Sequence, residues 1–408
     1  MSCPYPNCVG EGVVALPSCP SCTQPLLSCS DCGNDNRTLA RYCRNCGKPI
    51  TAQSLSVSTS LKEKIVPQRL GEVRGRSASL LSFGGYVWLI SAHGELYKAW
   101  SGAKHLVRCA TFREGGFYFP LNLDLDDQSG PVIYTNNHHS IFRYNVLSAK
   151  FEKLFELEEP DSRLVSGVIK RGRNFYYLTQ ETAAGPKPHL TLNSSGNKLS
   201  CPLGSFTLHD SSVSPLQCIG DDLWVITREK VFVFRNFPTE SPKEFSWNPW
   251  QLWATSKGIL YSEKVGTGIA GNTQSIWRLT FGGGGFEQYS LAAGLSLTTR
   301  IATSQDGQTV VFTHSGIEVF DAAMNSVEEL TGIVQVHNPQ GILLSSPFIF
   351  WFENSDRSVR AWEIGESKVY SLWSFTGETV NLSEFLFSGS SLYGFTEEEV
   401  WRWDLLGT

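Results

Sequence analysis

Eight of the eleven cysteines fall within the first 46 residues, in four pairs: Cys3/Cys8, Cys19/Cys22, Cys29/Cys32 and Cys43/Cys46. Ten residues separate the first pair from the second, and ten again separate the third from the fourth. Thiolate pairs on tight knuckles, closed by a loop of that length, supply the four soft ligands of a tetrahedral zinc site. The spacing gives two sets: Cys3, Cys8, Cys19 and Cys22, then Cys29, Cys32, Cys43 and Cys46. Joining Cys19/Cys22 to Cys29/Cys32 instead would strand the outer pairs. Four thiolates fill a zinc coordination shell and leave no place for water or substrate, so both ions are expected to be structural. Stripping them is expected to unfold this head.

The chemistry of the head depends on its compartment. The N-terminal residues Met1 to Pro6 carry no basic stretch followed by an apolar one, so a secretory leader is not expected. No apolar run reaches the length of a transmembrane helix. A reducing cytoplasm is therefore expected, where clustered cysteines hold metal rather than form disulfides; a disulfide framework is the competing reading. Cys109, Cys201 and Cys218 are scattered singly among apolar segments and read as ordinary buried thiols.

The second cysteine set reads Cys29-Ser-Asp-Cys32-Gly33, then Tyr42-Cys43-Arg44-Asn45-Cys46-Gly47. Glycine after the second cysteine lets the backbone turn so that its N–H groups face the sulfurs. With its repeated CxxCG and aromatic-CxxCG pattern, the stretch over residues 1–50 resembles the double zinc ribbon family. The first set departs from that pattern, with a wider Cys3/Cys8 knuckle and with Val9 and Thr23 where glycine is usual. Residues 1–50 carry Arg37, Arg41, Arg44 and Lys48 against Glu11, Asp31 and Asp35, a formal +1. Two Zn(Cys)₄ centres take the loaded head to roughly −3. That balance argues against phosphate binding, and the whole chain, at −5, is no basic nucleic-acid binder.

A polar tether of low complexity follows over residues 51–61. From residue 62 to 408 the chain is mainly β, with short apolar strands between Gly, Asn, Ser and Asp turns. A phrase of a hydrophobic or aromatic residue followed by a base recurs at Tyr97-Lys98, Phe142-Arg143, Phe234-Arg235, Trp277-Arg278, Val359-Arg360 and Trp401-Arg402. The basic residues lie 45, 92, 43, 82 and 42 positions apart. Each long interval holds one degenerate copy, Leu190-Thr191 and Phe320-Asp321, which makes eight copies about 43 residues apart. A four-stranded unit of that period is the signature of a β-propeller, here of eight blades, with seven the fallback if one hairpin is an insertion. The final strand, Val400–Leu405, lacks an outer neighbour, and residues 62–70 are expected to supply it and close the ring. The repeats resemble those of WD40-like propellers, although Trp403-Asp404 is the one literal WD dipeptide.

Other chemical-looking motifs have plainer readings. Gly266-Thr-Gly268-Ile-Ala-Gly271 matches a dinucleotide fingerprint but lies between two strands, where no helix can meet a pyrophosphate. His138-His139 reads as a polar turn, and Asp124, Asp126 and Asp127 lack the glycine and glutamate of a calcium loop. GxSxG, HExxH and Walker A patterns are absent, so no catalytic residues and no organic cofactor are expected. The expected function is a non-catalytic protein-interaction scaffold, a subunit of a larger complex with other proteins as partners. A prokaryotic multi-component system encoded in one operon suits it. Nucleic-acid binding through ribbons and linker, and a hydrolase or lyase at the propeller channel, are the alternatives.

Overall fold

The structure is a computed structural model. It describes residues 65–405, apart from loop positions (chiefly 113–120, 125–129, 182–188, 266–272, 332–338 and 376–379), and 26–28 and 35–37 of the first 64. Those two short strands, Leu26–Ser28 and Asp35–Arg37, pair antiparallel on either side of Cys29/Cys32. The eight paired cysteines themselves lie outside the described residues.

From residue 68 on the chain builds eight antiparallel sheets, and no helix occurs among the described residues. The first strands of the blades are Ser77–Phe83, Asn122–Asp124, Ser162–Leu164 with Ile169–Arg171, Leu216–Ile219, Gln251–Thr255, Arg300–Thr303, Pro339–Ser345 and Glu384–Ser388. They form the inner rim, and each blade then steps outward through second, third and fourth strands. In all eight copies of the recurring phrase the hydrophobic residue sits on a third strand, from Glu95–Trp100 in blade one to Glu399–Asp404 in blade eight, with Arg235 and Asp321 just past the ends of theirs.

Burial follows the radial position. The second strand of blade seven, Phe348–Glu353, is buried at every residue, so it reads as a continuous apolar run rather than an alternation. The fourth strand of blade two, Lys150–Glu156, is mostly exposed and charged, which blunts a sheet edge against stray pairing. Between the blades lie eight apolar clusters among the described residues, one at each junction. At the junction of blades seven and eight, Phe350, Phe385 and Trp403 pack together, and Trp403 is fully buried. Burying one such indole contributes roughly 3 kcal/mol or more. Gly394 leaves the room, since a Cβ there would come within 2.9 Å of both Phe385 and Trp403.

The ring is closed by the N-terminal side of the propeller. Gln68–Glu72 pairs antiparallel with Glu399–Asp404 as the outer strand of blade eight, with Gln68 opposite Arg402 and Glu72 opposite Glu399. The closing strand thus begins six residues later than the start of the expected segment 62–70. Pro67 cannot donate to a ladder and precedes the strand, while Leu70 and Val73 set the register by burying against Val87, Tyr393 and Val400. Upstream, the Ile65 N–H bonds to the Leu372 carbonyl of blade seven at 3.2 Å.

Arg402 ties the closure together and is only 4% exposed. Its guanidinium donates to the carbonyls of Trp100 (3.1 Å) and Ala103 (2.6 Å) in blade one, to Gln68 Oε1 (2.9 Å) and to Asp404 (2.9 Å). One side chain therefore links the last blade, the closing strand and the first blade. Replacing Arg402 with Met should strand these acceptors and destabilise the fold by about 3 kcal/mol, read as a lower urea midpoint. An unchanged midpoint would show that the clamp is dispensable.

Alkaline pH should loosen two of the junctions. Burial pushes the hydroxyl of Tyr144, between blades one and two, up to about 12, and does the same for Tyr393 beside the closure. Because the folded value lies above the ordinary 10, their contribution is complete below pH 10 and is lost as the pH rises toward 12. The unfolding free energy should fall by about 1.4 kcal/mol per pH unit per tyrosine across that window, measured by urea titration.

Candidate functional site

The inner strand of blade three does not run straight. Ser162–Leu164 and Ile169–Arg171 both pair with Asn174–Glu181, and residues 165–168 bulge out between them. The bulge is held firmly. Asn136 Nδ2 donates to the Ser166 carbonyl at 3.0 Å, Ser166 Oγ donates to the Gly167 carbonyl at 2.9 Å, and the Leu178 N–H donates to Ser166 Oγ at 3.0 Å. Bulges of this kind re-aim the residues that follow them. Here they turn Ile169 and Lys170 toward a cavity of about 410 Å³ between the inner strands of blades two, three and four.

Its walls combine Leu123, Ile169 and Leu216 with Asp124, Tyr134, Lys170, Ser214, Gln217 and Cys218. The Lys170 ammonium pairs with the Asp124 carboxylate and sits 5.5 Å from the centre of the Tyr134 ring. Their side chains are 18% and 16% exposed, so the pair is largely removed from water. Burial works against the ammonium, but the bonds to Asp124 and Tyr134 outweigh it and hold Lys170 above its ordinary value. Tyr134 is itself fixed by the edge of Phe175, 5.2 Å away.

On the blade-four side, Gln217 Nε2 donates to the Ser214 carbonyl at 3.1 Å. The Ser214 hydroxyl is buried with no hydrogen-bond partner among the described residues, a state that costs about 1–3 kcal/mol unless something else supplies the bond. Cys218 meets Arg171 Nη2 at 3.1 Å and the Gly220 carbonyl at 3.4 Å. Neither Ser214 nor Cys218 has a histidine or carboxylate as hydrogen-bond partner among the described residues.

A second polar cluster, in blade one, is satisfied from within. Glu95 is 4% exposed and accepts from Tyr97 and, at 2.9 Å, from Arg108. Burial alone would raise its carboxyl, but these two donors outweigh it and leave the value lowered. That cluster ties the third strand of blade one to the fourth.

The sequence motifs fall as follows. The His138-His139 turn is a junction: the Leu164 N–H donates to the His138 carbonyl at 2.7 Å, and His138 Nδ1 lies 3.1 Å from the Leu164 carbonyl. Asn137 Oδ1 accepts from the His139 and Ser140 N–H groups and shapes the same turn. Asp124 is the partner of Lys170, whereas Asp126, Asp127 and residues 266–271 lie outside the described residues. Gly258–Val265 and Thr273–Gly282 pair as neighbouring strands, which makes the glycine motif the connection of a hairpin. Cys109 and Cys201 are half-buried, and burial pushes both thiols up. Cys218 is exposed, contrary to the expectation of a buried thiol, because its strand borders the cavity. Among the described residues no three His, Cys, Asp or Glu side chains are placed to hold a metal ion. No helix there is long and apolar enough to cross a membrane.

Fold and site together define an eight-bladed β-propeller with a small polar cavity beside its inner rim. Comparison with protein-family models and with curated proteins finds no match. Among solved structures, the chain is similar to the computationally designed protein Ika8, with 13% identity and a TM-score of 0.53 over 82% of this chain and 99% of that one. It is also similar to Sqt1 of Saccharomyces cerevisiae, with 9% identity and a TM-score of 0.53 over 85% and 100% of the two chains. A looser likeness, with 10% identity and a TM-score of 0.45 over 84% of this chain, is to an inactive variant of virginiamycin B lyase from Staphylococcus aureus. At these identities the likeness is one of fold alone.

The ion pair at the cavity gives a direct test of its burial. Lys170→Met should cost about 3 kcal/mol by removing the ammonium that faces the Asp124 carboxylate, and adding Asp124→Leu should recover most of that loss. Independent, additive losses in urea melts would show that the pair is solvated and uncoupled.

Proposed function

We propose that this chain is a non-catalytic protein-interaction platform and a subunit of a cytoplasmic multi-protein complex. The observation that carries the reading is the closed ring. Eight blades locked junction by junction make a rigid frame from which loops are presented on both faces, and recognition residues concentrate on loops held by such frames. The argument from fold to role is one of analogy. In the proposal the cysteine-rich head is a double zinc ribbon with two structural zinc ions, one on Cys3, Cys8, Cys19 and Cys22 and the other on Cys29, Cys32, Cys43 and Cys46. The hairpin flanking Cys29/Cys32 suits a ribbon knuckle. A second small module on a tether would raise the effective concentration of one partner near another.

Native mass spectrometry of the affinity-purified full chain, before and after chelation, tests this. The reading expects two zinc ions per chain and a stoichiometric protein companion. A salt-labile nucleic acid in place of the protein companion would overturn the platform in favour of nucleic-acid binding. Intact disulfides with no zinc would overturn the ribbon and the compartment together.

A further inference from the structure

The recurring base of the third strands is neutralised in three blades, where Arg143 pairs with Glu152, Arg360 with Asp356 and Arg402 with Asp404. Lys98 of blade one differs. Its ammonium sits 5.3 Å from the centre of the Tyr86 ring and 5.7 Å from that of Trp88, and it pairs with no carboxylate among the described residues. The rings hold the ammonium in place and leave its charge uncancelled. Trp100, two residues further along the same strand, packs edge-on against Tyr86 at 5.9 Å and is 36% exposed. On the other side, Trp88 meets Tyr144 of blade two at 6.0 Å, and Tyr144 lies directly opposite Phe151, which is 41% exposed. Phe151 is held in turn by the edge of Phe112, 4.8 Å away. A continuous aromatic strip thus crosses the junction of blades one and two, exposed at Trp100 and at Phe151. Single exposed apolar residues need no explanation, but these two are joined by an unbroken chain of ring contacts with a fixed cation beside it.

We infer that this strip docks a partner's extended peptide segment in which a carboxylate side chain stands next to an apolar one; the inference rests on the platform reading. Charge complementarity selects the occupant. An ammonium half-withdrawn from water gains from one carboxylate at hydrogen-bond distance, and the apolar neighbour then covers the exposed face of Trp100. Tryptophan and tyrosine are the side chains that carry most binding energy at such surfaces. Because Tyr86 and Trp88 already fix the Lys98 ammonium, little of its freedom remains to be lost on binding. A single-stranded nucleic acid could stack on the same rings, but it needs a row of free cations along its backbone. Arg143 and Lys153, the bases beside Phe151, are instead taken up by Glu152 and Glu156.

Trp100 provides the readout. The full chain is prepared with 5-fluorotryptophan, and the Trp100 fluorine resonance is identified by its loss in Trp100→Phe. The probe is the acetylated and amidated peptide Gly-Asp-Leu-Gly, which should shift that resonance with half-saturation near ~1 mM. The same peptide with asparagine or lysine in place of aspartate should bind about ten-fold more weakly, and high salt should narrow the gap between aspartate and asparagine. Lys98→Gln should make the aspartate and asparagine peptides equal with an unaltered melting temperature. Phe151→Ser, which should weaken binding several-fold and keep the preference for aspartate, serves if that variant fails to fold. An unmoved Trp100 resonance, or equal shifts by all three peptides, overturns the proposal. Tighter binding of a thymidine decanucleotide than of the aspartate peptide overturns it in favour of nucleic acid. A protein companion in native spectra with an unmoved resonance overturns the strip alone. A charge-selective shift without any companion supports the strip and overturns the platform.

Discussion

The propeller depends on how its two ends are joined, and that join is concentrated in Arg402. A ring of sheets held only by neighbouring contacts would open at the seam between last blade and first. Arg402 prevents this by reaching across the seam to the Trp100 and Ala103 carbonyls while also holding Gln68 and Asp404. A guanidinium suits the task because its fixed fork of donors can serve several acceptors at once. Asp404 is held in turn by Ser391 Oγ at 2.6 Å, so the clamp is braced within blade eight. The apolar side of the seam, with Leu70, Val73, Val87, Tyr393 and Val400, supplies area rather than direction.

With the ring locked, a local irregularity at its inner rim can be tolerated. The bulge in blade three interrupts the inner ladder only opposite Tyr177 and Leu178, because Ser162–Leu164 and Ile169–Arg171 pair with the second strand on either side of it. Ser166 fills the gap by bonding to Leu178 and by accepting from Asn136 in the neighbouring blade. The cavity is therefore a rigid feature. It is built where three blades meet, and Lys170 and Asp124 offset one another's charge there.

The blade count was legible because the recurring basic residue has a physical task at the third strand. Lys98 lies over the rings of Tyr86 and Trp88, Arg235 over Phe281 and Arg278 over Tyr289, while Arg143 pairs with Glu152 and Arg360 with Asp356. Each holds a strand to its surroundings, so the period in sequence is the period of the blades. The two degenerate copies keep the buried residue, Leu190 or Phe320, and lose only the base. The register of the closing strand was less legible, because Leu70 and Val73 show their importance only once Val87 and Tyr393 are beside them. The cavity was not legible at all. Its polar residues come from three blades, and Lys170 beside Arg171, or Ser214 near Gln217, reads as ordinary surface. Only the break at Val165-Ser166-Gly167-Val168 hinted at an interrupted strand.

Hydrogen exchange on the intact chain tests the closure most directly. If the strand Gln68–Glu72 is integral to the ring, its paired amides should exchange together with those of Glu399–Asp404, at the slow rate set by global opening. Fast exchange over residues 68–72, with the eight sheets otherwise protected, would show that the ring holds without its closing strand and would contradict the account.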